Sequence, residues 1–130
     1  MDFTYRVEVD ADVAATIDAV TAALKEQGFG VLTHIDIQDT LKQKLDVDVD
    51  PHVILGACNP QLAHQALGAD PRIATLLPCN VVVRAETGQT IVEALDPKLI
   101  AEIPDNAALR PIADEAGTSI RAALDAIARR

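Results

Sequence analysis

Aromatic side chains are almost absent from this sequence. Two phenylalanines and one tyrosine, with no tryptophan, make up 2% of its 130 residues. A protein that stacks nucleic-acid bases, or that encloses a cationic ligand in an aromatic cage, needs more of these side chains. The composition therefore disfavours both kinds of site, and the core must be built from Ala, Val, Leu and Ile.

Positive charge is also scarce. The chain has 11 Lys and Arg residues against 20 Asp and Glu, which gives a formal net charge of −9. Nucleic-acid binding by counterion release requires a basic surface, and an anionic membrane repels a protein of this charge. We therefore expect neither nucleic acid nor a membrane as a partner.

Long apolar runs are missing as well. None approaches the roughly 20 residues that would span a bilayer. The first ten residues, MDFTYRVEVD, lack the basic and apolar regions of a secretory signal. We expect a cytoplasmic protein, in which the two cysteines, Cys58 and Cys79, are reduced thiols.

The residues that are present predict strands and helices of one α+β domain over residues 1–130. Alternating or continuous apolar residues predict five strands, at 3–9, 30–37, 53–58, 79–86 and 89–95, with Thr87-Gly88 as a hairpin turn. In the second strand, Val31, Thr33, Ile35 and Ile37 would share one face. The order β-α-β-(short α)-β-α-β-β-α is typical of a single compact domain, with a mainly antiparallel sheet and helices packed on it.

Cap residues predict where the helices begin and end. The first helix carries an apolar stripe, and Gly28 is suited to a Schellman motif that packs Phe29 against the helix. We expect Asp39 to cap a short second helix, and Gly68 to end the helix that follows Asn59-Pro60. The C-terminal helix has an apolar stripe formed by Ile112, Ala116, Ile120, Leu124 and Ile127.

The chemistry of the sequence is concentrated around Cys58. This residue lies between a buried strand and a helix that begins at Pro60, whose free N–H groups and positive end would lower the pKa of a thiol and favour its thiolate. Asn59 would cap this helix or offer its amide to a ligand. The alternative is that Cys58 simply packs as a small hydrophobic residue.

A second Cys-Asn pair, Cys79-Asn80, begins the next long strand. If the two strands are neighbours, both thiols would face one crevice. Their spacing does not match CxxC, so it indicates neither a thioredoxin-like motif nor a zinc knuckle. A regulatory disulfide would oppose the reducing conditions of the cytosol.

Other familiar sites are weakly represented. His64 and His34 are the only soft ligands that could join the cysteines around a metal, and His64 is more often solvated at such a position. The motif DVDVD fails as a calcium loop, since Pro51 stands where Gly is required. A single serine and the lack of GxxxxGK disfavour serine hydrolases and phosphotransferases.

Three segments of the chain, QGFGVLTHIDIQDTLKQKL, ILGACNPQLAHQAL and LLPCNVVV, resemble the bacterial and archaeal family called domain of unknown function 302. The likeness covers nearly the whole chain, and Cys58, Asn59, Pro60, Cys79 and Asn80 match characteristic segments of the family. The resemblance implies a compact α+β fold and a homodimer. It implies no catalytic residues, because the activity of the family is not established.

Three functions compete on this sequence. The first is a thiol-dependent redox or soft-ligand site with Cys58 and Cys79 as its candidate thiols. The second is a non-enzymatic dimeric protein that binds a small polar molecule near Asn59, His64 and Asn80, with structural cysteines. The third is a structural or adaptor role without a pocket. The residues identify no ligand, cofactor or metal.

Overall fold

The computed structural model describes residues 2–129, which form a five-stranded antiparallel sheet covered by helices. The strands are β1 (Thr4–Val9), β2 (Gly30–Asp36), β3 (His52–Cys58), β4 (Cys79–Glu86) and β5 (Gln89–Leu95). They lie in the order β1-β5-β4-β3-β2, and each neighbouring pair is antiparallel. The predicted α+β class with an antiparallel sheet is confirmed.

The helices follow the strands in the predicted order. They are α1 (Val13–Glu26), α2 (Ile37–Leu45), α3 (Pro60–Ala69), α4 (Lys98–Glu102) and α5 (Arg110–Ile127), with short 3₁₀ helices at Pro71–Leu76 and Ala107–Leu109. The core lies between one face of the sheet and the helices α1, α3 and α5, and α5 packs on both of the others. Its largest fully buried side chains are aliphatic and include Leu24, Leu55, Ile73, Leu109, Ile120 and Leu124.

The C-terminus of α1 forms the predicted Schellman motif. Gly28 has a φ of +83°, and its N–H donates to the carbonyl of Lys25 at 3.0 Å. The N–H of Phe29 donates to the carbonyl of Leu24 at 2.9 Å. Phe29 is buried in the core. This cap turns the chain directly into β2, which begins at Gly30.

A β-bulge at Leu32 changes the predicted faces of β2. Val31 pairs with Ala57, whereas Thr33 pairs with Gly56, so Leu32 is an extra residue on this strand. Because Ala57 and Gly56 point to opposite faces of β3, their partners do so as well. The prediction that Val31 and Thr33 share a face is therefore wrong.

Two predicted helix boundaries are also wrong. The carboxylate of Asp36 caps α2 by accepting the N–H of Asp39 at 2.9 Å, so Asp39 lies inside the helix. α3 continues through Gly68 to Ala69 and ends at Asp70. The physical reason is the following Pro71, which has no N–H to extend the helix and starts the 3₁₀ helix that Asp70 caps.

Candidate functional site

The two Cys-Asn segments lie side by side at one edge of the sheet. β3 ends at Cys58 where its antiparallel neighbour β4 begins at Cys79. Ala57 pairs with Cys79, so the two cysteines are offset by one residue across the ladder. This register brings the two residues to the same corner of the fold, and both are free cysteines.

Cys79 belongs to the hydrophobic core. Its side chain is 5% exposed and points to the same face of β4 as Val81 and Val83. Burial raises the pKa of the Cys79 thiol from 9.0 to about 11, and the electrostatic effect of the nearby Cys58 side chain adds to the rise. At neutral pH Cys79 is therefore a protonated, weakly polar group and a poor nucleophile.

Cys58 is half-buried at the last residue of β3, directly before the start of α3. The Asn59 side chain caps this helix, since its Oδ1 accepts the N–H of Leu62 at 3.1 Å. The Asn59 amide nitrogen also lies close to the Cα of Gly28, where an added Cβ would be 3.1 Å from it. Asn59 therefore fixes the start of the helix beside Cys58, and its amide lies against the turn that ends α1.

A small cavity of about 30 Å³ lies behind this corner. Both cysteines and Asn59 border it, and all its other lining residues are apolar: Phe29, Ala57, Leu62, Ala63, Ala66, Leu77, Ile100, Ile112, Ala113 and Ala116. We call this space the cysteine cavity. A water molecule needs two to four polar partners, which these walls do not offer, so the cavity suits a small apolar molecule.

Asn80 and His64 lie outside the cysteine cavity. Asn80 is exposed and follows the inward-facing Cys79, so it points to the opposite face of the sheet. His64 is exposed on α3. Of the candidate site residues predicted from the sequence, only Cys58, Cys79 and Asn59 border the cysteine cavity.

The walls of the cavity include residues that the sequence did not assign to a site. Ile112 and Ala116 belong to the apolar stripe predicted for α5, which indicated burial but not a cavity, and Leu62 and Ala66 are buried residues of α3. Leu77, which precedes Pro78, carried no such signal. An apolar stripe predicts which face of a helix is buried. Whether a cavity remains between two buried faces depends on how the helices pack, which the stripe does not determine.

A wider crevice of about 690 Å³ separates the start of α1 from the nearby ends of the strands. His34 and His52 lie on its walls. Several polar groups there already have protein partners: Asp12 caps α1, Asp36 caps α2, and the Thr90 hydroxyl donates to the carbonyl of Ala11 at 2.7 Å. Those contacts hold the ends of helices and strands.

Within residues 2–129, no group of three or more His, Cys, Asp or Glu side chains is arranged to hold a metal ion. Over the same range, no helix is both long and apolar enough to cross a membrane.

Comparison with known proteins gives a family and a fold. The family described as "Domain of unknown function DUF302" matches residues 5–127. No curated protein matches the chain. The crystal structure of an uncharacterized conserved protein DUF302 from Bacillus stearothermophilus is similar, with 33% sequence identity and a TM-score of 0.92. The likeness covers 98% of this chain and 99% of that one.

Proposed function

This chain belongs to the DUF302 family, and on that premise we propose that it is a cytoplasmic, homodimeric, non-enzymatic protein that binds a small apolar molecule in the cysteine cavity. The buried Cys79 thiol would act as a neutral, polarizable part of the wall. This proposal keeps the structural-cysteine interpretation of the sequence and replaces the polar ligand expected there with an apolar one.

The observation that carries the proposal is the lining of the cavity. Both cysteines border one space whose remaining walls are apolar except for Asn59. An apolar cavity in a protein stays dry, and it binds apolar molecules because they regain the dispersion contacts that its lining lacks. A sulfur atom contributes to such contacts through its polarizability.

The state of Cys79 argues against a dithiol redox site. Thiol-disulfide exchange requires a thiolate, and the pKa of about 11 keeps Cys79 protonated at neutral pH. Cys58 lies one residue beyond the partner of Cys79 in the ladder. Since successive residues of a strand point to opposite faces, the register does not align the two sulfurs for a disulfide.

The cytoplasmic location and the homodimer are supported by separate observations. Two free cysteines agree with a reducing compartment such as the cytoplasm. A homodimer is supported by a part of the chain that exposes many aliphatic side chains, residues 30–51.

Amide chemical shifts of ¹⁵N-labelled protein test the binding proposal, with cyclopropane and xenon as probes. We expect both probes to shift the amides of residues around the cavity, such as Leu62 and Ala116, and to saturate. The variant Ala116→Val fills the cavity from α5 and should abolish these shifts. Ala22→Val, at an exposed position of α1, is the matched control and should leave them unchanged.

Two results would overturn the proposal. One is that neither probe shifts amides around the cavity in the wild-type protein. The other is that Ala116→Val, folded as judged by its spectrum, responds to the probes as the wild-type protein does.

A further inference from the structure

The wider crevice of about 690 Å³ lies at the end of the sheet opposite the cysteine cavity. β3 begins there at His52 and runs away from it to Cys58, and the antiparallel β4 runs from Cys79 back toward it. Its walls also come from the β1–α1 turn, the first two turns of α1, the end of β2, the start of α2 and the β4–β5 hairpin. We call this space the α1 crevice. Small-molecule sites in proteins are concave and enclose about 300–1,000 Å³, so its size suits a ligand.

Part of the wall of the α1 crevice is apolar. Val13 and Ile17 of α1 are half-buried against the core. Val53 of β3 is buried, and Ala85 of β4 is half-buried. Apolar surface in a concave site is favourable to cover with an apolar group, because this removes it from water. The crevice is therefore suited to the hydrocarbon part of a ligand.

The charged side chains on the walls of the α1 crevice are carboxylates. Its ionisable residues are Asp10, Asp12, Asp36, His34 and His52, and no Lys or Arg of the described residues lines it. Carboxylates around a concave site concentrate a negative potential, which attracts cations and repels anions. Asp10 lies 3.9 Å from a guanidinium nitrogen of Arg129, so Asp12 and Asp36 carry most of this charge.

The carboxylates of Asp12 and Asp36 are held in place and retain free acceptors. Asp12 Oδ1 accepts the N–H of Ala15 at 2.8 Å, and Asp36 Oδ1 accepts the N–H of Asp39 at 2.9 Å. The Oδ2 atom of each accepts no hydrogen bond from residues 2–129. A carboxylate can accept at both oxygens, so each can bind a ligand while it caps its helix. The two carboxylates also offset the positive ends of α1 and α2, which would otherwise favour an anion.

These groups suit an organic cation with N–H donors. In the part of the chain that the structure describes, no group of three or more His, Cys, Asp or Glu side chains is arranged for a metal ion. Quaternary ammonium ligands are usually enclosed by aromatic side chains, and the described walls include no Phe, Tyr or Trp. A primary ammonium group instead has three N–H donors, which carboxylate oxygens accept in strong, charge-assisted hydrogen bonds.

We propose that the α1 crevice binds a primary amine in its ammonium form. The ammonium group donates to Oδ2 of Asp12 and Asp36, and the hydrocarbon part of the ligand covers Val13 and Ile17. This site is separate from the cysteine cavity and does not depend on the function proposed for it. The two ligand classes also differ, since the cysteine cavity excludes a charged group.

Titration of the ¹⁵N-labelled full chain with hexylamine tests this proposal, because at about pH 7 the amine is protonated. We expect hexylammonium to shift the amides of Val13, Ala85 and Gln89, which line the crevice. The shifts should saturate by about 20 mM, well above a dissociation constant of about 1 mM. Hexanoate has the opposite charge and should cause no such shifts. Hexyltrimethylammonium has no N–H donor and should bind at least about fivefold more weakly.

Substitution of the two caps tests which side chains bind the ammonium group. Asp12→Asn and Asp36→Asn each remove one charge but retain an oxygen that caps the helix. Each should weaken hexylammonium binding about fivefold, as expected for an exposed ion pair. Asp18→Asn is the matched control, because it changes the net charge equally at an exposed position of α1 outside the crevice. It should bind as wild type does, and circular dichroism of each variant confirms that the fold is intact.

Four results would overturn the proposal. Hexylammonium fails to produce saturating shifts at the crevice, or hexanoate or hexyltrimethylammonium binds there as tightly as hexylammonium does. Asp12→Asn and Asp36→Asn bind hexylammonium as Asp18→Asn does. Finally, saturating shifts confined to Leu62 and Ala116 would place the amine at the cysteine cavity instead.

Discussion

Cys79 lies opposite Ala57, and not opposite Cys58, in the ladder between β3 and β4. This offset of one residue separates the two thiols in character. Cys79 points into the core, where it is 5% exposed, whereas Cys58 lies half-buried at the end of its strand. Both cysteines border one cavity, but only Cys79 is buried, so their thiols should differ in reactivity.

Cys79 should resist alkylation in the folded protein. Its pKa of about 11, compared with the ordinary 9.0, leaves about 100-fold less thiolate at pH 8 than an ordinary cysteine has. The variant Cys58→Ser, which retains only Cys79, should react with iodoacetamide at least about 100-fold more slowly than a cysteine peptide. Mass spectrometry over time measures the rate. A rate near that of the peptide would show that Cys79 is accessible and ionised.

The stability of the protein should fall between pH 9 and pH 11 because of Cys79. Below the unfolded pKa of 9.0 the thiol is protonated in both states, so its contribution does not change with pH. Above it, the unfolded thiol ionises first and the equilibrium shifts toward the unfolded state, by at most roughly 2–3 kcal/mol. Urea unfolding at several pH values measures this loss.

Cys79→Ala is the control for that measurement. Tyr5 and Lys42 have raised pKa values too, Tyr5 through its hydrogen bond to Asp125 and Lys42 through Asp46, and both remain in this variant. The difference between the two proteins therefore isolates the thiol. Parallel losses of stability in wild-type and Cys79→Ala protein would mean that burial does not hold the thiol in its neutral form.

Two glycine-to-alanine substitutions should have opposite effects on stability. Gly28 has a φ of +83°, and a Cβ there would be 3.1 Å from the Asn59 amide, so Gly28→Ala should destabilise the fold by about 1 kcal/mol or more. Gly68 lies inside α3 with open space around it, so Gly68→Ala should stabilise the fold by about 0.5–1 kcal/mol. Thermal unfolding of the two variants and the wild-type protein shows whether each substitution raises or lowers the stability. Equal effects would contradict the conformations described for these residues.

Asp70 should contribute to stability in a way that depends on pH. The Arg72 side chain donates hydrogen bonds to its carboxylate, at 2.8 Å for the shortest, and this holds the pKa of Asp70 below its ordinary 3.8. Since the folded pKa is depressed, the contribution is present above pH 3.8 and is lost as pH falls through the folded pKa.

Asp70→Asn tests that contribution, because the amide retains an oxygen that can cap the 3₁₀ helix but removes the charge. We expect its melting temperature to fall less steeply than that of wild type between pH 5 and pH 2, a range of about three units around the carboxyl pKa. Asp114→Asn, at an exposed position on α5, is the control. If the melting temperature of Asp70→Asn falls with pH as steeply as that of wild type, the ion pair with Arg72 does not lower the pKa of Asp70.

Local signals in the sequence were sufficient to predict much of the fold. The Schellman motif at Gly28, the cap at Asn59 and the hairpin at Thr87-Gly88 depend on a few neighbouring residues, and all three are present in the structure. Apolar periodicity located the strands and the long helices, because it reflects which face of each element is buried.

Features that depend on contacts between distant segments were not predicted. The bulge at Leu32 arises from the pairing of β2 with β3, and no residue type marks it. Gly56 is required because Thr33 and Pro78 lie where its Cβ would be, and these residues are far apart in the sequence. The proximity of Cys58 to Cys79 required β3 and β4 to be neighbours, which the sequence left as a condition.

A crystal structure determined under xenon pressure tests the cysteine cavity most directly. Xenon is apolar and polarizable, and it binds dry cavities of suitable size. Our account predicts a xenon atom in contact with Cys79 and Leu62 in wild-type crystals, and no xenon at that place in Ala116→Val crystals. A wild-type cavity that stays empty of xenon, or that contains an ordered water, would contradict the proposal that this site binds a small apolar molecule.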